Sequence, residues 1–329
     1  MSAPMSAKTD EESDEAALNR LLDAEPHSVA AHVRLGDIRA RQGEAELARY
    51  YYRRALSLAD CQDHPDEVAA DLRRAEAALS EFESSVYAKR EALMIERGFP
   101  ADRWSPRFRH SLELAAGRRK LYRPDPTNFH YPGLPAIQFF DREQFSWAAA
   151  VEAAVPAIRD ELLAELGAGA DQFRPYVQGQ AVNNQHLLDK KDWSILPLCE
   201  RGWVSTYVTQ RFPRTWEAIR QAPLPAIFGW GPTVVFSKLK AGAHIEPHTG
   251  MFNTRLICHL PLIVPPGCRF RVGDDVREWE PGKLLIFDDT IEHEAWNDGP
   301  EDRVILIFDI WRPELSEQER TELTALFHT

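Results

Sequence analysis

Cysteine is scarce in this sequence, and long apolar runs are absent. The 329 residues include 4 cysteines, which lie far apart and form no CxxC pair: Cys61, Cys199, Cys258 and Cys268. We therefore expect reduced thiols in a cytoplasmic protein rather than a disulfide framework. No stretch of about 18 apolar residues occurs, so the sequence predicts no membrane-spanning helix.

Basic residues are outnumbered, with 39 Lys and Arg against 51 Asp and Glu and a formal charge of −12. Nucleic acids and anionic membrane surfaces both need a basic footprint, so neither is an expected partner. The acidic N-terminus has no apolar core of the kind that a secretory signal needs. A small molecule, a peptide or a folded protein is therefore the expected partner.

The composition changes along the chain and predicts three segments. Residues 1–15 are polar and acidic and are predicted to be disordered. Residues 16–120 are helical in pattern, and residues 121–329 begin with a proline-rich stretch followed by one long helix, "REQFSWAAAVEAAVPAIRDELLAEL". Short strands separated by turns then predict a β-sandwich or barrel. These strands are 233–239, 255–264, 268–272, 283–287, 293–297 and 303–311.

The helical segment contains one stretch with the spacing of a known repeat. If Val29 is counted as the first position of a 34-residue unit, Leu35 and Gly36 take positions 7 and 8. Ala48 and Tyr52 then take positions 20 and 24. This spacing resembles a tetratricopeptide repeat, which would recruit a protein partner. The alternative is a plain helical bundle that packs against the next domain.

Polar side chains alternate along the predicted strand "RLICHL". Alternation places Arg255, Ile257 and His259 on one face and the apolar residues on the other. Because histidine and arginine are poor core residues, this face is expected to line a cavity.

Two histidines and an arginine open or close other strands of the same region. His248 and His293 on separate strands suit Fe(II), Zn or Cu as a bound metal. Arg303 suits a carboxylate through a two-pronged hydrogen bond. Each signal alone is weak, since single histidines and strand-end arginines are usually structural, but together they predict a metal site beside an anion site.

The motifs "HIEPHTG", "RLICHL", "GKLLIFDDTIEHEAWND" and "DRVILIFDIWRPEL" occur in this order between residues 244 and 315. The series resembles the aspartyl/asparaginyl β-hydroxylase family of Fe(II)- and 2-oxoglutarate-dependent dioxygenases, over residues from about 133 to 329. The resemblance implies a double-stranded β-helix, or jelly-roll, as the catalytic domain, preceded by tetratricopeptide-like helices.

The resemblance also implies roles for particular residues. His248 and His293 resemble the two iron-binding histidines. Arg303 resembles the arginine that pairs with the distal carboxylate of 2-oxoglutarate. Ser237 resembles the serine that assists this arginine, and His259 matches a histidine on the co-substrate side of the pocket.

Most of the wider superfamily adds a carboxylate two residues after the first histidine, whereas this chain has Gly250 there. The resembled family shares this glycine, so the missing acid does not count against iron. Asp288 and Asp289 are alternative ligands, although an acidic pair before a turn more often serves as turn chemistry.

The substrate pocket departs from the resembled family at one position. Ile257 stands where a second arginine is frequent, which favours an aliphatic or neutral peptide-borne group over an acidic side chain. Arg255 is the remaining charge on this strand. The alternative is that Arg255 alone suffices to bind an acidic substrate. Trp193, in "KDWS", also resembles a residue of the substrate cleft, and a core tryptophan is the alternative.

The sequence thus predicts an enzyme: an Fe(II)/2-oxoglutarate dioxygenase that hydroxylates an aspartyl, asparaginyl or other amino-acid or peptide substrate. Two alternatives stay open. One is a cupin-type metalloenzyme that does not use 2-oxoglutarate, for which Arg303 and Ser237 together would be unnecessary. The other is a non-catalytic tetratricopeptide interaction protein with an inert jelly-roll, which the retention of both histidines disfavours.

Overall fold

The computed structural model describes residues 5–59, 66–168, 172–179, 184–204 and 206–328. The chain divides into two compact units, Met1–Lys120 and Leu121–Thr329. Of the predicted thiols, Cys61 lies outside the described residues, and the other three cysteines are free and buried. Among the described residues, no helix combines the length and apolar character needed to cross a membrane.

The first unit is entirely helical where it is described, which confirms the predicted fold class for this part. Its α-helices are α1 (Met5–Ala24), α2 (Val29–Arg41), α3 (Ala45–Ala59), α4 (Asp66–Glu96) and α5 (Pro106–Ala115), with a short 3-10 helix at Ala101–Arg103. The core is an apolar cluster from α2, α3 and α4 that includes Val33, Ala55 and Leu79. A single small core therefore joins three of the helices.

Helices α2 and α3 form a tight hairpin because one position between them has no side chain. A Cβ atom at Gly36 would lie 2.5 Å from Cε1 of Tyr52. The Tyr52 hydroxyl donates a hydrogen bond to Asp37 at 2.8 Å, which holds the ring in place. Positions 8 and 24 of the proposed repeat thus pack against each other, while the assignment to tetratricopeptide repeats stays a prediction.

The prediction of disorder for residues 1–15 is wrong from Met5 onward, because α1 begins there. The segment from residue 5 to residue 24 contains no proline or glycine and is rich in Ala, Glu and Leu, which favour helix. Glu15 also forms an ion pair with Arg39 of α2. Helix propensity and this tertiary contact outweigh the polar composition.

The second unit contains two antiparallel sheets, which confirms the predicted mainly-β domain. Its strands are β1 (Phe139–Phe140), β2 (Arg174–Pro175), β3 (Trp193–Glu200), β4 (Trp203–Val204), β5 (Val234–Leu239), β6 (His244–His248), β7 (Arg255–Ile263), β8 (Cys268–Val272), β9 (Asp275–Glu278), β10 (Leu285–Phe287), β11 (His293–Asn297) and β12 (Arg303–Trp311). The 8-stranded sheet has the order β1-β10-β7-β12-β5-β3-β2, with β4 paired to β3. The 4-stranded sheet has the order β6-β11-β8-β9.

The two sheets pack face to face as a double-stranded β-helix. An apolar cluster draws residues from both sheets, with Leu239 and Ile305 from the larger sheet and Phe270 and Ala295 from the smaller. A second cluster packs the other face of the larger sheet against the helices at Ala148–Ala153, Val155–Gly167 and Pro213–Ile219. It includes Ile158, Phe236 and Leu260. The larger sheet is therefore covered on both faces, and only its inner face meets the smaller sheet.

The helices of the second unit are α6 (Ala148–Ala153), α7 (Val155–Gly167), α8 (Thr206–Arg211), α9 (Pro213–Ile219) and α10 (Glu317–Phe327), with 3-10 helices at Arg142–Gln144 and Gln185–Leu187. The single long helix expected over residues 142–166 is wrong, since three helical segments occupy this range. The break before α7 places Pro156 in its first turn. Proline has no N–H to donate, so it is tolerated there and not in a helix interior.

Candidate active site

A cavity of about 710 Å³ opens in the second unit between the two sheets. The inner strands β5, β7 and β12 contribute one wall, and β6 and β11 contribute the other. All the predicted site residues line this cavity: Trp193, Ser237, His248, Arg255, Ile257, His259, His293 and Arg303. Residues up to 110 positions apart in sequence are thus brought to one place by strand pairing.

His248 and His293 face each other across neighbouring antiparallel strands. They are register partners at the end of β6 and the start of β11. Their ring centroids are 4.2 Å apart and the rings are inclined by 51°. A directly opposed cross-strand pair brings both imidazoles to one point of the cavity wall.

The hydrogen bonds of the two rings determine which nitrogen is free. Nδ1 of His248 lies 2.8 Å from the carbonyl oxygen of Glu246, and Nδ1 of His293 lies 3.1 Å from that of Ile291. Because a carbonyl can only accept, each Nδ1 carries the proton and each Nε2 keeps its lone pair. This arrangement orients a histidine for metal binding through Nε2.

Burial keeps both imidazoles neutral. It lowers the pKa of His248, and burial together with the neighbouring His248 holds the pKa of His293 well below its ordinary value. In the described part of the chain, no group of three or more His, Cys, Asp and Glu is arranged to hold a metal. The Nε2 atoms of His248 and His293 are two nitrogens that this cavity can offer to a metal.

Arg303 is fully buried at the start of β12, and no acidic residue of the described part of the chain pairs with it. Its guanidinium lies 4.8 Å above the ring of Trp279, and its Nε atom has no hydrogen-bond partner among the described residues. Burial lowers its pKa to about 10. A buried cation without a counter-ion is costly, so this position is suited to an anion from outside the protein.

Ser237 and His259 flank Arg303 on adjoining strands, and each is held by a tryptophan. The indole N–H of Trp193 donates to Oγ of Ser237 at 3.2 Å, which leaves the hydroxyl hydrogen of Ser237 to donate. The indole N–H of Trp279 donates to Nδ1 of His259 at 3.3 Å. Trp193 is buried and also stacks on Tyr176, so it is both a core residue and a wall of the cavity.

Arg255 differs from Arg303 because carboxylates surround it. Its Nη1 lies 3.0 Å from Oδ2 of Asp309, and its Nη2 lies 3.6 Å from Oδ2 of Asp289. Burial opposes the charge of Arg255, but Asp289 and Asp309 outweigh it and raise its pKa. Ile257, two residues further along β7, adds a half-buried aliphatic surface beside this cluster.

The two acidic residues before the second histidine have separate tasks. Asp288 accepts hydrogen bonds from the backbone and hydroxyl of Thr290 and pairs with buried Arg312 at 2.6 Å, which is the turn chemistry expected of it. Asp289 instead lines the cavity, and its Oδ1 is buried without a partner among the described residues. Burial raises the pKa of Asp289 to about 7.

The carboxylate of Asp289 occupies the space beside Gly250. A Cβ atom at Gly250 would lie 2.1 Å from Oδ2 of Asp289. The backbone N–H of Gly250 also donates to the carbonyl of Asp289 at 2.7 Å. A carboxylate therefore does lie beside position 250, but it comes from the turn before β11 rather than from residue 250 itself.

Sequence reasoning missed the partners that support the predicted residues. Asp309 lies on β12 and fixes Arg255, and its other oxygen accepts the N–H of Thr233 at 2.6 Å. An acidic residue inside the apolar run "RVILIFDIW" is the signal that could have identified it. Trp279 gave no signal, because its contacts with His259 and Arg303 depend on the folding of β7 and β12 against the turn after β9.

The strand order defines a double-stranded β-helix protein with a cavity inside the barrel. The profile of the family described as aspartyl/asparaginyl beta-hydroxylase matches residues 152–313. The ornithine lipid ester-linked acyl 2-hydroxylase of Rhizobium tropici is 33% identical over 217 residues, which is 65% of this chain and 72% of that protein. The chain belongs to the aspartyl/asparaginyl β-hydroxylase family.

Other matches cover smaller parts of their proteins. The human aspartyl/asparaginyl beta-hydroxylase is 36% identical over 170 residues, which span 51% of this chain and 21% of the human protein. Among solved structures, the cupin domain of Cnp3 from Schizosaccharomyces pombe matches with a TM-score of 0.22 and 11% identity, over 25% of this chain and 56% of that chain. A score of this size adds nothing to the fold assignment, which rests on the strand order.

Proposed function

We propose that the chain is an Fe(II)- and 2-oxoglutarate-dependent dioxygenase that hydroxylates a C–H bond of an amino-acid or peptide substrate. One observation carries this proposal. A buried arginine without a counter-ion, Arg303, lines the same cavity as two imidazoles whose Nε2 atoms are free. Membership in a hydroxylase family supports the same reaction class.

His248 and His293 would hold the metal through Nε2. Neutral imidazole is a suitable donor for Fe(II), and the two residues leave positions open for other ligands. Bound Fe(II) would supply a Lewis acid for the 2-oxo acid end of the co-substrate and the redox chemistry for O2. Asp289 lines the same cavity and places its carboxylate beside Gly250, which has no side chain of its own.

Arg303 would bind the distal carboxylate of 2-oxoglutarate as the counter-ion that it lacks. Ser237 would donate its hydroxyl hydrogen to the same group, and His259 would donate from Nε2, because its Nδ1 accepts from Trp279. In the net reaction, 2-oxoglutarate, O2 and a C–H bond give succinate, CO2 and an alcohol. One atom of O2 enters succinate and the other enters the substrate.

The substrate end of the cavity favours a neutral group. Arg255 is already paired with Asp309 and lies near Asp289, so it has little positive charge to offer a third carboxylate. Ile257 presents an aliphatic surface next to it. We therefore propose a neutral amino-acid side chain, free or in a peptide, at this end.

An acyl chain is the second candidate for the substrate. The cavity is lined by apolar side chains beyond the metal-binding pair, including Ile195, Trp230, Val235, Met251 and Phe252. The relative from Rhizobium tropici is named as an acyl 2-hydroxylase of an ornithine lipid. This lining suits a hydrocarbon chain as well as it suits an aliphatic side chain.

The test is an aerobic incubation of the full chain with Fe(II), 2-oxoglutarate and panels of amino acids, peptides and acylated lipids. The measurements are succinate formation and the gain of one oxygen atom in the substrate by mass spectrometry. His248→Ala and His293→Ala should each abolish turnover, because one remaining imidazole loses most of the metal affinity.

His186→Ala is the matched control, because His186 lies outside the cavity and contacts the carbonyl of His244 at 3.0 Å. It should keep wild-type turnover. Wild-type turnover in either His248→Ala or His293→Ala would remove that histidine from the site. The proposed function would be contradicted if the wild-type protein formed no succinate, either with the substrate panels or without added substrate. The cytoplasmic location and a protein partner of the helical unit stay predictions.

A further inference from the structure

Trp279 lies behind the cavity wall rather than in it. It follows β9 directly and is 4% exposed. Its ring stacks on Phe270 with centroids 5.3 Å apart and an inclination of 28°. Since it does not line the cavity, any influence on a ligand must act through the residues that it contacts.

Two of those contacts are with residues proposed to bind the co-substrate. The indole N–H donates to Nδ1 of His259 at 3.3 Å, and the guanidinium of Arg303 lies 4.8 Å from the ring centroid. His259 lies in β7 and Arg303 in β12, so one side chain from the edge of the smaller sheet contacts two strands of the larger sheet.

The contact with His259 determines which of its nitrogens carries hydrogen. An indole N–H can only donate, so Nδ1 of His259 is the acceptor and Nε2 carries the proton in the neutral ring. Burial, Arg303 and His293 hold the pKa of His259 well below its ordinary value, so the ring is neutral near pH 7. Nε2 of His259, the nitrogen that can reach a ligand in the cavity, is therefore a hydrogen-bond donor.

The contact with Arg303 restrains the plane of the guanidinium. A cation over an indole face is attracted by the ring, most strongly where water is excluded. Without this contact the charged end of the buried side chain would have no partner among the described residues. The same indole therefore acts on two donors that converge on one ligand.

We infer that Trp279 is a positioning residue for the co-substrate: its N–H selects the Nε2–H tautomer of His259, and its ring holds the guanidinium of Arg303. The inference rests on the proposed function, since it assigns the carboxylate of 2-oxoglutarate as the group that both donors bind. Trp279 itself touches neither co-substrate nor metal.

The test compares Trp279→Phe with the wild-type full chain. Phenylalanine keeps a ring beneath Arg303 and removes the N–H. In the metal-free wild-type protein, long-range ¹⁵N NMR of labelled histidine should show His259 as the Nε2–H tautomer alone. In Trp279→Phe the Nδ1–H tautomer should appear. A His259→Gln variant assigns the resonances.

The second measurement is the dissociation constant of 2-oxoglutarate for the Mn(II)-loaded protein by calorimetry. Trp279→Phe should weaken binding by about 3- to 10-fold, the size expected for one net hydrogen bond. Trp279→Leu, which also removes the ring, should weaken it further. The matched control is Trp147→Phe, since Trp147 packs against Phe145 and Phe308 and contacts neither donor. It should leave both measurements unchanged.

An Nδ1–H tautomer in the wild-type protein would overturn the inference even if no variant folded. An unchanged affinity in a folded Trp279→Phe protein would overturn it as well. A wild-type protein that shows the Nε2–H tautomer and binds no 2-oxoglutarate would overturn the proposed function, and with it the co-substrate part of this inference. The tautomer measurement separates the two failures because it needs no co-substrate.

Discussion

Two buried arginines, Arg303 and Arg312, have opposite surroundings in the same unit. Arg312 pairs with Asp288 at 2.6 Å and donates to the carbonyl of Pro135, with both charged side chains fully buried. Arg303 has no carboxylate partner among the described residues, and burial lowers its pKa to about 10. The guanidinium of Arg312 thus stabilises the fold through its ion pair, whereas the buried charge of Arg303 lowers the stability of the ligand-free protein.

Arg303→Met should therefore make the ligand-free protein more stable at pH 7. One pKa unit corresponds to about 1.4 kcal/mol, so removing this uncompensated charge should gain on the order of 3 kcal/mol. The thermal midpoint of the second unit should rise by several degrees. Calorimetry should also show that the variant no longer binds 2-oxoglutarate.

Arg312→Met is the matched substitution, and we expect it to lower the stability of the protein. It would leave Asp288 buried without its cation, which costs about 3–5 kcal/mol. A lower midpoint for Arg303→Met, similar to that of Arg312→Met, would show that Arg303 has an internal partner and would contradict its assignment as an anion site.

At the scale of elements, the hairpin of α2 and α3 depends on the absence of a side chain at Gly36. Gly36→Ala would place a Cβ atom 2.5 Å from the Tyr52 ring, which is buried and hydrogen-bonded to Asp37. Overpacking of this kind costs about 1–3 kcal/mol, partly offset by the higher helix propensity of alanine. Thermal unfolding followed by circular dichroism should show a lower midpoint for the first unit.

Gly167→Ala is the control for this substitution, since Gly167 ends α7 and a Cβ atom there meets nothing within 4 Å. It should leave the protein as stable as the wild type or slightly more stable. Equal midpoints for Gly36→Ala and wild type would mean that the tyrosine ring can move away, and the hairpin contact would then not be tight.

The elements were predictable where the sequence alternates or where an apolar run has clear ends. Strands β7 and β12 were predicted to within one residue of their bounds, because polar residues alternate along the start of β7 and because Asp302 and Pro313 flank the apolar run of β12. Strand β3, Trp193–Glu200, was missed. All but two of its residues are buried and it contains Pro197, so it shows neither alternation nor a favourable composition.

At the scale of the whole molecule, each apolar cluster draws its residues from one unit. The cluster around Val33 and Tyr52 lies within residues 29–79, and the cavity is lined by residues from Asn128 to Asp309. A chain that begins at Leu121 should therefore fold, bind Co(II) and bind 2-oxoglutarate with wild-type affinity. Absorption spectroscopy of Co(II) and calorimetry measure these two properties.

The companion measurement is turnover of the true substrate, which should fall in the shortened chain if the helical unit recruits that substrate. A shortened protein that has the circular dichroism of a folded β-domain and binds no Co(II) would show that the helices contribute to the site. The two units would then not be separable in function.

The site was predictable in its reactive residues and not in their supports. His248, His293 and Arg303 stand out because such residues are unusual in apolar strands. Trp279 is ordinary in sequence and Asp309 is unusual only in standing within an apolar run, and the importance of both comes from contacts with residues 20 or more positions away. Only the folded chain shows which of several acidic or aromatic residues reach these partners.

The carboxylate of Asp289 fills the space that a side chain at position 250 would need. Either position can therefore carry an acid, but both cannot do so at once. Gly250→Asp alone should lose stability, because two carboxylates would compete for the same space. Adding Asp289→Gly should recover it, with a coupling of about 0.5–3 kcal/mol in thermal or denaturant unfolding of the four proteins. Additive effects of the two substitutions on stability would contradict this coupling.

If the double variant is as stable as the wild type, two compensating substitutions separate this site from one with an acid two residues after the first histidine. Evolution could then convert one arrangement into the other while the β-helix stays the same.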